Sequence, residues 1–362
     1  MKILDKYILK QYFGTFLMLL LVFIPVSILI DFSERIEDFS ENKVPASEII
    51  VYYKSFLLTF FNILFPIFLF LSILWFTSRM AQNTEIIAIL NGGMSFKRFM
   101  VPYFTGALIV ATTVVYLNTN IIPKARMTYN EFWSKYVYKH AQYRDKNNVY
   151  RQVDGTHYIY ASSINHNAGT VYDFIIEEID GEHLKSRLYS TRIKLVEDST
   201  GKHHYRMFNV TKRIFHNDGT NSVVHYTTKD TILPFSLDDL TPLNYIAEGL
   251  PTPELRTFIE KEKLRGSKNI NRYLLEKYRR ISLPVSAFIL TFIAVAVASR
   301  KRRGGIGMNL ALGIVVAFIY IFFDKIFGIL SVKAGFSPFW AAWLPNIFFV
   351  ILALYLLRNA QR

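Results

Sequence analysis

Three long uncharged apolar runs stand on either side of a polar stretch between residues 123 and 281, and this layout constrains the chain more than any other feature. The runs cover residues 11–30, 55–78, 99–123, 281–299, 304–323 and 334–357. Each approaches the ~20 residues that a helix needs to cross a hydrocarbon layer of about 30 Å. Helices buried in soluble proteins rarely stay uncharged for so long. The expected fold is an α-helical membrane protein with six transmembrane helices, arranged 3+3, around one large inserted domain.

The positions of the basic residues predict the orientation. With six spans both termini share a side, and that side receives Lys2, Lys6, Lys10, Arg79, Lys97 and Arg98. It also receives the run Arg300-Lys301-Arg302-Arg303, then Arg358 and Arg362. The opposite loop after the first span carries Asp31, Glu34, Glu37, Asp38, Glu41 and Glu48 against Arg35 and Lys43. The positive-inside rule therefore expects cytoplasmic termini and an exported insertion. The first run is too long for a signal-peptide core, and no small-residue cleavage site follows it, so it is expected to remain as a span. Three domains are expected: residues 1–123 with spans one to three, 124–270 as a β domain with helical flanks, and 271–362 with spans four to six.

The formal net charge is +14, but the cytoplasmic flanks supply much of it, so lipid-surface charge and topology account for it better than nucleic acid does. Cysteine is absent, which excludes disulfides, thiolate metal sites and thiol catalysis. The exported domain must rest on a hydrophobic core.

Inside the insertion the hydrophobic period changes to two. Residues 149–153, 157–161, 171–179, 188–196, 204–211 and 223–228 read as strands. Turn signals separate them: Asp154-Gly155, Asn167 to Gly169, Asp180-Gly181, Ser199 to Gly201 and Asn217 to Gly219. Short strands joined in this way imply an antiparallel sandwich or jelly roll, with pairing left open. Tyr158, Tyr160, Phe174, Ile176 and Phe208 either fill the core or line an open groove for lipid chains, and the residue types favour the core. No His-x-Glu or His-x-His spacing recommends a metal; adjacent His203 and His204 would point to opposite faces. An amphipathic stretch, residues 126–140, leads into the strands. A Pro-containing segment with Pro242, Pro251 and Pro253, including a helix over 253–265, leads out of them. The leader to span four, residues 271–280, is basic on the outer side, against the topology rule.

The segment between spans two and three, residues 79–98, is the most motif-like. Asn83 or Thr84 can cap a helix, and Glu85 then sits in a first turn where the helix dipole favours an anion. Ile86, Ile87, Ile89 and Leu90 form an apolar surface of two turns, Gly92-Gly93 stops the helix, and Ser95 can cap the next. Such an element suits either the sensing of a cytoplasmic motor or a simple interfacial role.

Several ordered motifs carry a resemblance across nearly the whole chain: Leu4-Asp5-Lys6-Tyr7, Phe65-Pro66, Thr84-Glu85-Ile86 with Gly92, Gly93 and Ser95, and Asp324-Lys325-Ile326-Phe327-Gly328. Together they resemble the LptF/LptG permease family of lipopolysaccharide exporters. The Asp-Lys-Ile-Phe-Gly segment, with Pro338 and Leu344-Pro345 after it, is more similar to the LptG branch. The resemblance implies a permease subunit of an ATP-driven exporter in the bacterial inner membrane, with a periplasmic β-jelly-roll-like domain. Its implied partners are a paralogous six-span permease, two copies of a cytoplasmic ATPase, a periplasmic jelly-roll bridge protein and lipopolysaccharide. It further implies a coupling helix that meets the ATPase through Arg79, Thr84, Glu85, Ile86, Ile89, Leu90, Gly92 and Ser95. No Gly-x-x-x-x-Gly-Lys-Ser/Thr loop is present, so ATP and Mg are expected on the separate ATPase, and the chain itself is expected to be neither an enzyme nor a cofactor carrier.

The resemblance makes the first and fifth spans a lateral opening, with Asp31, Phe32, Glu34, Arg35, Asp324, Lys325 and Phe327 at its rim. Well-known members of the family carry lysines where this chain has Asp31, Glu37 and Asp38, so Arg35, Lys43 and Lys325 would have to compensate toward a phosphorylated headgroup. Asp324 and Lys325 can equally form an interfacial anchor. Pro25, Pro66 and Pro284 are expected to kink their spans. Competing readings are a permease for a lipoprotein or glycolipid, and a non-transporting receptor or scaffold. An intramembrane enzyme finds no paired-Asp, His-Glu-x-x-His or Gly-x-Ser-x-Gly constellation here.

Overall fold

In a computed structural model the described residues are 2–137, 147–165, 168–197, 203–216, 218–233, 245–299 and 305–360. His140, Asn167, residues 199–201, Asn217, Pro242, the basic run 300–303 and Arg362 lie outside them. The chain divides into two compact units: residues 1–139, 247–255 and 271–362 form one, and residues 140–246 and 256–270 the other.

The first unit is helical. It contains α1 (Ile3–Glu41), α2 (Ala46–Gln82), α3 (Glu85–Asn91), α4 (Phe96–Tyr116) and α5 (Ile122–Phe132). A π turn at Leu117–Ile121 joins α4 to α5, and a second at Trp133–Val137 follows, so the third span runs continuously from Phe96 to Val137. After the inserted strands come α6 (Ile246–Gly249), α7 (Thr252–Leu264), whose residues from 256 on belong to the second unit, α8 (Ile270–Ala298), α9 (Gly305–Ala334) and α10 (Pro338–Ala360). Six of these segments are long and apolar enough to cross a membrane. Pro25, Pro66 and Pro284 lie inside helices that continue past them.

α8 is the hub. Its Ala287, Leu290, Ile293, Ala294 and Ala298 are buried in one cluster with Leu69, Ile73 and Leu74 of α2, Tyr103 of α4 and Phe349 of α10. Small residues allow the close approaches. A Cβ on Gly106 would lie 3.1 Å from the Tyr12 ring, which is where α4 crosses α1. Buried polar side chains then tie span to span: Asn309 Nδ2 donates to Ser78 Oγ at 3.0 Å, and Asn346 Nδ2 to the Ser282 carbonyl at 2.8 Å. With no water in a bilayer core, such groups must find partners among the helices.

The second unit holds β1 (Asn147–Gln152), β2 (His157–Asn165), β3 (Thr170–Asp180), β4 (His183–Glu197), β5 (His203–Phe215) and β6 (Asn221–Thr231). Every stretch expected to be a strand is one. Among the described residues they pair antiparallel in sequence order within a single sheet, so the inserted β domain is seen here as a meander. Its buried face carries Val149, Ile159, Ala161, Ile164, Val171, Phe174, Ile193, Met207 and Val210, with Ile176 packed against them. Phe174 and Ile176 thus fill the core. Tyr158 is exposed, the Tyr160 hydroxyl donates to Asn148 Oδ1 at 3.1 Å, and Phe208 lies under the Arg192 guanidinium at 4.3 Å.

The strict period of two breaks once in each of three strands. Buried positions run Ala161 to Ile164, Val171 to Phe174 and Met207 to Val210, intervals of three. The breaks lie at one level. Because Asn147 faces Ser163 and Val149 faces Ala161, Asn148 falls opposite Ser162, and the same counting carries the row through Asp173, Thr191, Asn209 and Thr227. On alternate strands the row residue is left-handed: Asn148 has φ 53°, Asp173 45° and Asn209 50°. Asn and Asp tolerate that conformation better than other side-chain-bearing residues. The row is a crease at which the strands exchange inward and outward faces. At the edge of the sheet Arg151 Nη1 meets Glu262 Oε2 at 3.1 Å, both side chains being buried, and the Gln152 amide donates to the Arg265 carbonyl at 3.3 Å.

Candidate functional site

The residues singled out in the sequence lie in two places within the helical unit. The first is the connection between α2 and α4. Thr84 does sit at the N-terminus of α3, but it makes no side-chain cap; its φ of 62° turns the chain sharply out of α2. Glu85 is held from both sides, accepting from Tyr7 Oη at 3.0 Å and from Asn83 Nδ2 at 3.1 Å. Two residues earlier in α1, Asp5 is buried and accepts from Arg98 Nη2 at 2.6 Å. Two of the motifs noted in sequence, at residues 4–7 and 84–86, are therefore neighbours in space. Ile86 is buried in the helical core, Ile89 and Leu90 pack partly against it, and Ile87 is exposed. Arg79, Gly92 and Ser95 are exposed, and Ser95 caps α4 by accepting from the Arg98 amide at 3.3 Å.

The second place is the far end of the spans, where the rim residues separate into two groups. Asp31 is buried and accepts from Tyr52 Oη at 3.0 and 3.1 Å, so its carboxylate is turned toward α2. Arg35 lies 4.1 Å over the Trp133 ring and 3.6 Å from Asp38. Phe32 and Glu34 are exposed. The second group is on α9. Asp324 pairs with Arg279 rather than with Lys325: Arg279 Nη2 donates to the Asp324 carboxylate at 2.9 Å and to its carbonyl at 2.8 Å. A Cβ on Gly328 would stand 2.6 Å from that guanidinium nitrogen. The glycine one turn after the aspartate is what gives the guanidinium room. Phe327 packs with Leu275, Ala341 and Ala342. α1 packs chiefly on α2 and α4, and α9 on α2 and α10, so the two groups are on separate elements that do not pack together.

Between α2, α5, α8 and α9 lies a charged cavity of about 340 Å³. Arg126 Nη1 is 3.2 Å from Glu276 and 3.7 Å from Glu248. Arg280 lies 3.6 Å from the same Glu276 oxygen and holds α6 and the chain after it by donating to the carbonyls of Ala247 and Leu250 and to Thr252 Oγ1. Asp324 and Lys325 complete the lining. Asn62 borders this cavity and also an apolar one of about 360 Å³ lined by Phe13, Leu17, Leu58, Phe65 and Val110. Sequence reading missed Arg126, Glu248 and Glu276 as site residues. One signal was present: Arg279 and Arg280 are basic at the end of a span expected to face outward, where the topology rule predicts few cations, and such charges need a structural use. Among the described residues no group of three metal-ligating side chains is found.

Six membrane-length helices, an inserted β sheet and a short helix linking the second and third spans are the plan of a multi-pass permease subunit. The sequence pattern of the family described as "Lipopolysaccharide export system permease LptF/LptG" matches residues 6–359, and the chain belongs to that family. It is 21% identical over 366 residues to the lipopolysaccharide export system permease protein LptG of Escherichia coli K12, covering 99% of this chain and 98% of that protein. It is 20% identical over 359 residues to the LptG of Haemophilus influenzae Rd, covering 99% of each. Its likeness is to the LptG branch.

Proposed function

We propose that this chain is the LptG-like half of an ATP-driven exporter that extracts lipopolysaccharide from the inner membrane. In this reading both termini are cytoplasmic and the β domain is periplasmic. A paralogous six-span permease pairs with it, two copies of a cytoplasmic ATPase bind ATP and Mg below, and the β domain hands cargo to a periplasmic bridge of similar domains. The domain limits 1–123, 124–270 and 271–362 describe that division of labour.

The observation that carries the proposal is how α1 is held. Of its most apolar stretch, 6% is buried against the rest of the chain, although Asp5, Ile8 and Tyr12 at one end and Ser27, Asp31 and Phe39 at the other are buried. A span fixed at its ends, with an apolar cavity behind it, suits a wall that moves. The Tyr7–Glu85 and Asp5–Arg98 contacts would pass motion of the coupling helix to that wall. α9, the other proposed wall of the opening, is also sparsely covered, with 22% of its apolar stretch buried. Lipid extraction opposes burial worth ~0.8 kcal/mol per acyl CH₂, so several chains amount to tens of kcal/mol and require an energy source outside this chain.

Purification from the native membrane in mild detergent, followed by an ATP hydrolysis assay, tests the reading. A second six-span permease, a soluble ATPase and lipopolysaccharide-stimulated hydrolysis are expected. A chain isolated without an ATPase would indicate a receptor or scaffold instead, and stimulation by a lipoprotein or glycolipid alone would change the cargo. Glu85→Lys is expected to release the ATPase; an intact complex with a normal hydrolysis rate would remove Glu85 from the coupling contact. Charge reversal at Lys325 or Arg35 is expected to reduce photocrosslinking to lipopolysaccharide, and undiminished crosslinks would exclude them as headgroup contacts.

A further inference from the structure

The crease in the β sheet is flanked by aromatic rings on the face that the core does not use. Val149, Ile159, Ala161 and Phe174 point inward, so their strand neighbours Tyr150, Tyr160 and Ile175 lie on the opposite face, and register sets Tyr189 and Thr211 in the same row. On the other side of the crease Ser163, Tyr172, Arg192 and Phe208 form the matching row, because Ile164, Val171, Ile193 and Met207 are buried. Tyr150 and Tyr172 are 69% and 45% exposed. The Tyr150 and Tyr160 rings lie 4.6 Å apart, and the Arg192 guanidinium covers Phe208. Between the two rows stand the short polar side chains of the crease, Asn148, Ser162, Asp173, Thr191 and Asn209. The Tyr160 hydroxyl donates to Asn148 Oδ1 and the Tyr189 hydroxyl to Asp173 Oδ1 at 3.0 Å, so two of the rings are fastened to the crease by their tips. Strand propensity accounts for tyrosines on strands, but not for rings on both sides of one polar row.

We infer that this face of the sheet binds the uncharged saccharide part of the exported glycolipid, with Tyr150, Tyr160, Tyr172 and Tyr189 as the rings on which sugar rings lie. A pyranose presents flat C–H faces and a rim of hydroxyls. Aromatic faces meet the first, and short Asn, Ser, Thr and Asp side chains donate to and accept from the second. Charge selects against other occupants. Across these rows from β1 to β5 the charged side chains are Asp173 and Arg192, one of each sign. Asp173 Oδ2 already accepts from Ser162 Oγ at 2.9 Å, and Arg192 is spread over Phe208, so nothing here selects a phosphate or a strongly charged peptide. Four strand spacings of about 4.8 Å give the face a length of about 19 Å from β1 to β5, room for several sugar rings in line. The saccharide chemistry rests on this face alone; its assignment to the cargo rests on the proposed function.

The full chain, held in a detergent without a sugar headgroup, would be mixed with the dephosphorylated core oligosaccharide of its native lipopolysaccharide and read by saturation-transfer NMR. Transfer to the ring C–H protons of the sugar is expected. Tyr150→Leu and Tyr172→Leu remove exposed rings, and each is expected to weaken binding about tenfold, the scale of one stacked aromatic contact. Tyr150→Phe and Tyr172→Phe keep the ring and are expected to bind as the parent chain does. No transfer with the parent chain, or equal binding in both leucine variants, would overturn the site. The parent chain alone decides the first of these, so a leucine variant that failed to fold would leave the test intact. Equal or tighter binding of a peptidoglycan disaccharide would move the site to a cell-wall glycan and overturn the cargo assignment. Self-association in light scattering that Tyr172→Leu abolishes would make the face a contact between copies and overturn the saccharide. Neither measurement uses the ATPase or export, so this site and the proposed function can fail separately.

Discussion

α1 and α8 are almost equally apolar, yet 6% of the apolar stretch of one is buried within the chain and 72% of the other. Their residues explain the difference. α8 carries small side chains on its buried face, Ala287, Ala294, Ala296 and Ala298, and large side chains of α2, α4 and α10 fill the space around them. α1 carries the run Phe16-Leu-Met-Leu-Leu-Leu-Val-Phe23, large side chains all round, of which Leu17, Met18, Leu21, Val22 and Phe23 are exposed. Apolarity takes a span into the bilayer, where lipid tails are as apolar as leucine. How its side chains fit those of its neighbours then decides how much of it the protein covers.

The largest expected effect sharpens that contrast directly. Ile293→Ala in α8 removes a fully buried side chain and is expected to destabilise the helical unit by about 2–5 kcal/mol in denaturant unfolding. Leu21→Ala, at a 67% exposed position of α1, is expected to change it by less than about 0.5 kcal/mol. Equal losses would break the comparison. Next in size is the anchor at the end of α1. Tyr52→Phe leaves the buried Asp31 carboxylate without its donor, at a cost of about 1–3 kcal/mol. Hydrogen exchange is expected to accelerate in residues 27–41 and stay unchanged in α8; uniform acceleration would show that α1 is not held by its ends.

A smaller effect is expected where α8 meets α9. Gly328→Ala pushes the Arg279 guanidinium off Asp324 and is expected to cost about 1 kcal/mol. Adding Arg279→Gln to it should cost little more, and full additivity would show that the glycine serves something else. The smallest effect lies outside both helices. The backbone N–H groups of Thr156 and His157, both 2.8 Å from Asp154 Oδ1, hold that carboxyl well below the usual range. Its contribution is present above the unfolded carboxylate pKa of about 3.9 and is lost as pH falls toward the lower folded value. Acid melts of the sheet are expected to show a slope below about pH 4 that Asp154→Asn reduces, and the substitution is expected to leave α1 and α8 unchanged.

The six strands were legible because alternation and turn residues are local signals. The crease was not. Asn148, Asp173 and Asn209 are ordinary polar residues along their own strands, and only register shows that they form one row. The segment between spans two and three was legible as a short helix with a Gly-Gly stop. Its grip by Tyr7 depended on a residue 78 positions away. The cavity drew on α2, α5, α8 and α9, and its one trace in the sequence was the misplaced Arg279-Arg280 pair.

The sequence by itself determined six apolar spans, an inserted set of strands and the breaks between them. Each follows from hydropathy and periodicity within a few turns of chain. Tertiary structure alone decided which spans became core, that Asp31 is turned inward, and that charged side chains from several helices surround one cavity. Those outcomes depend on how side-chain size and charge match between residues distant in sequence, and no local pattern encodes the match.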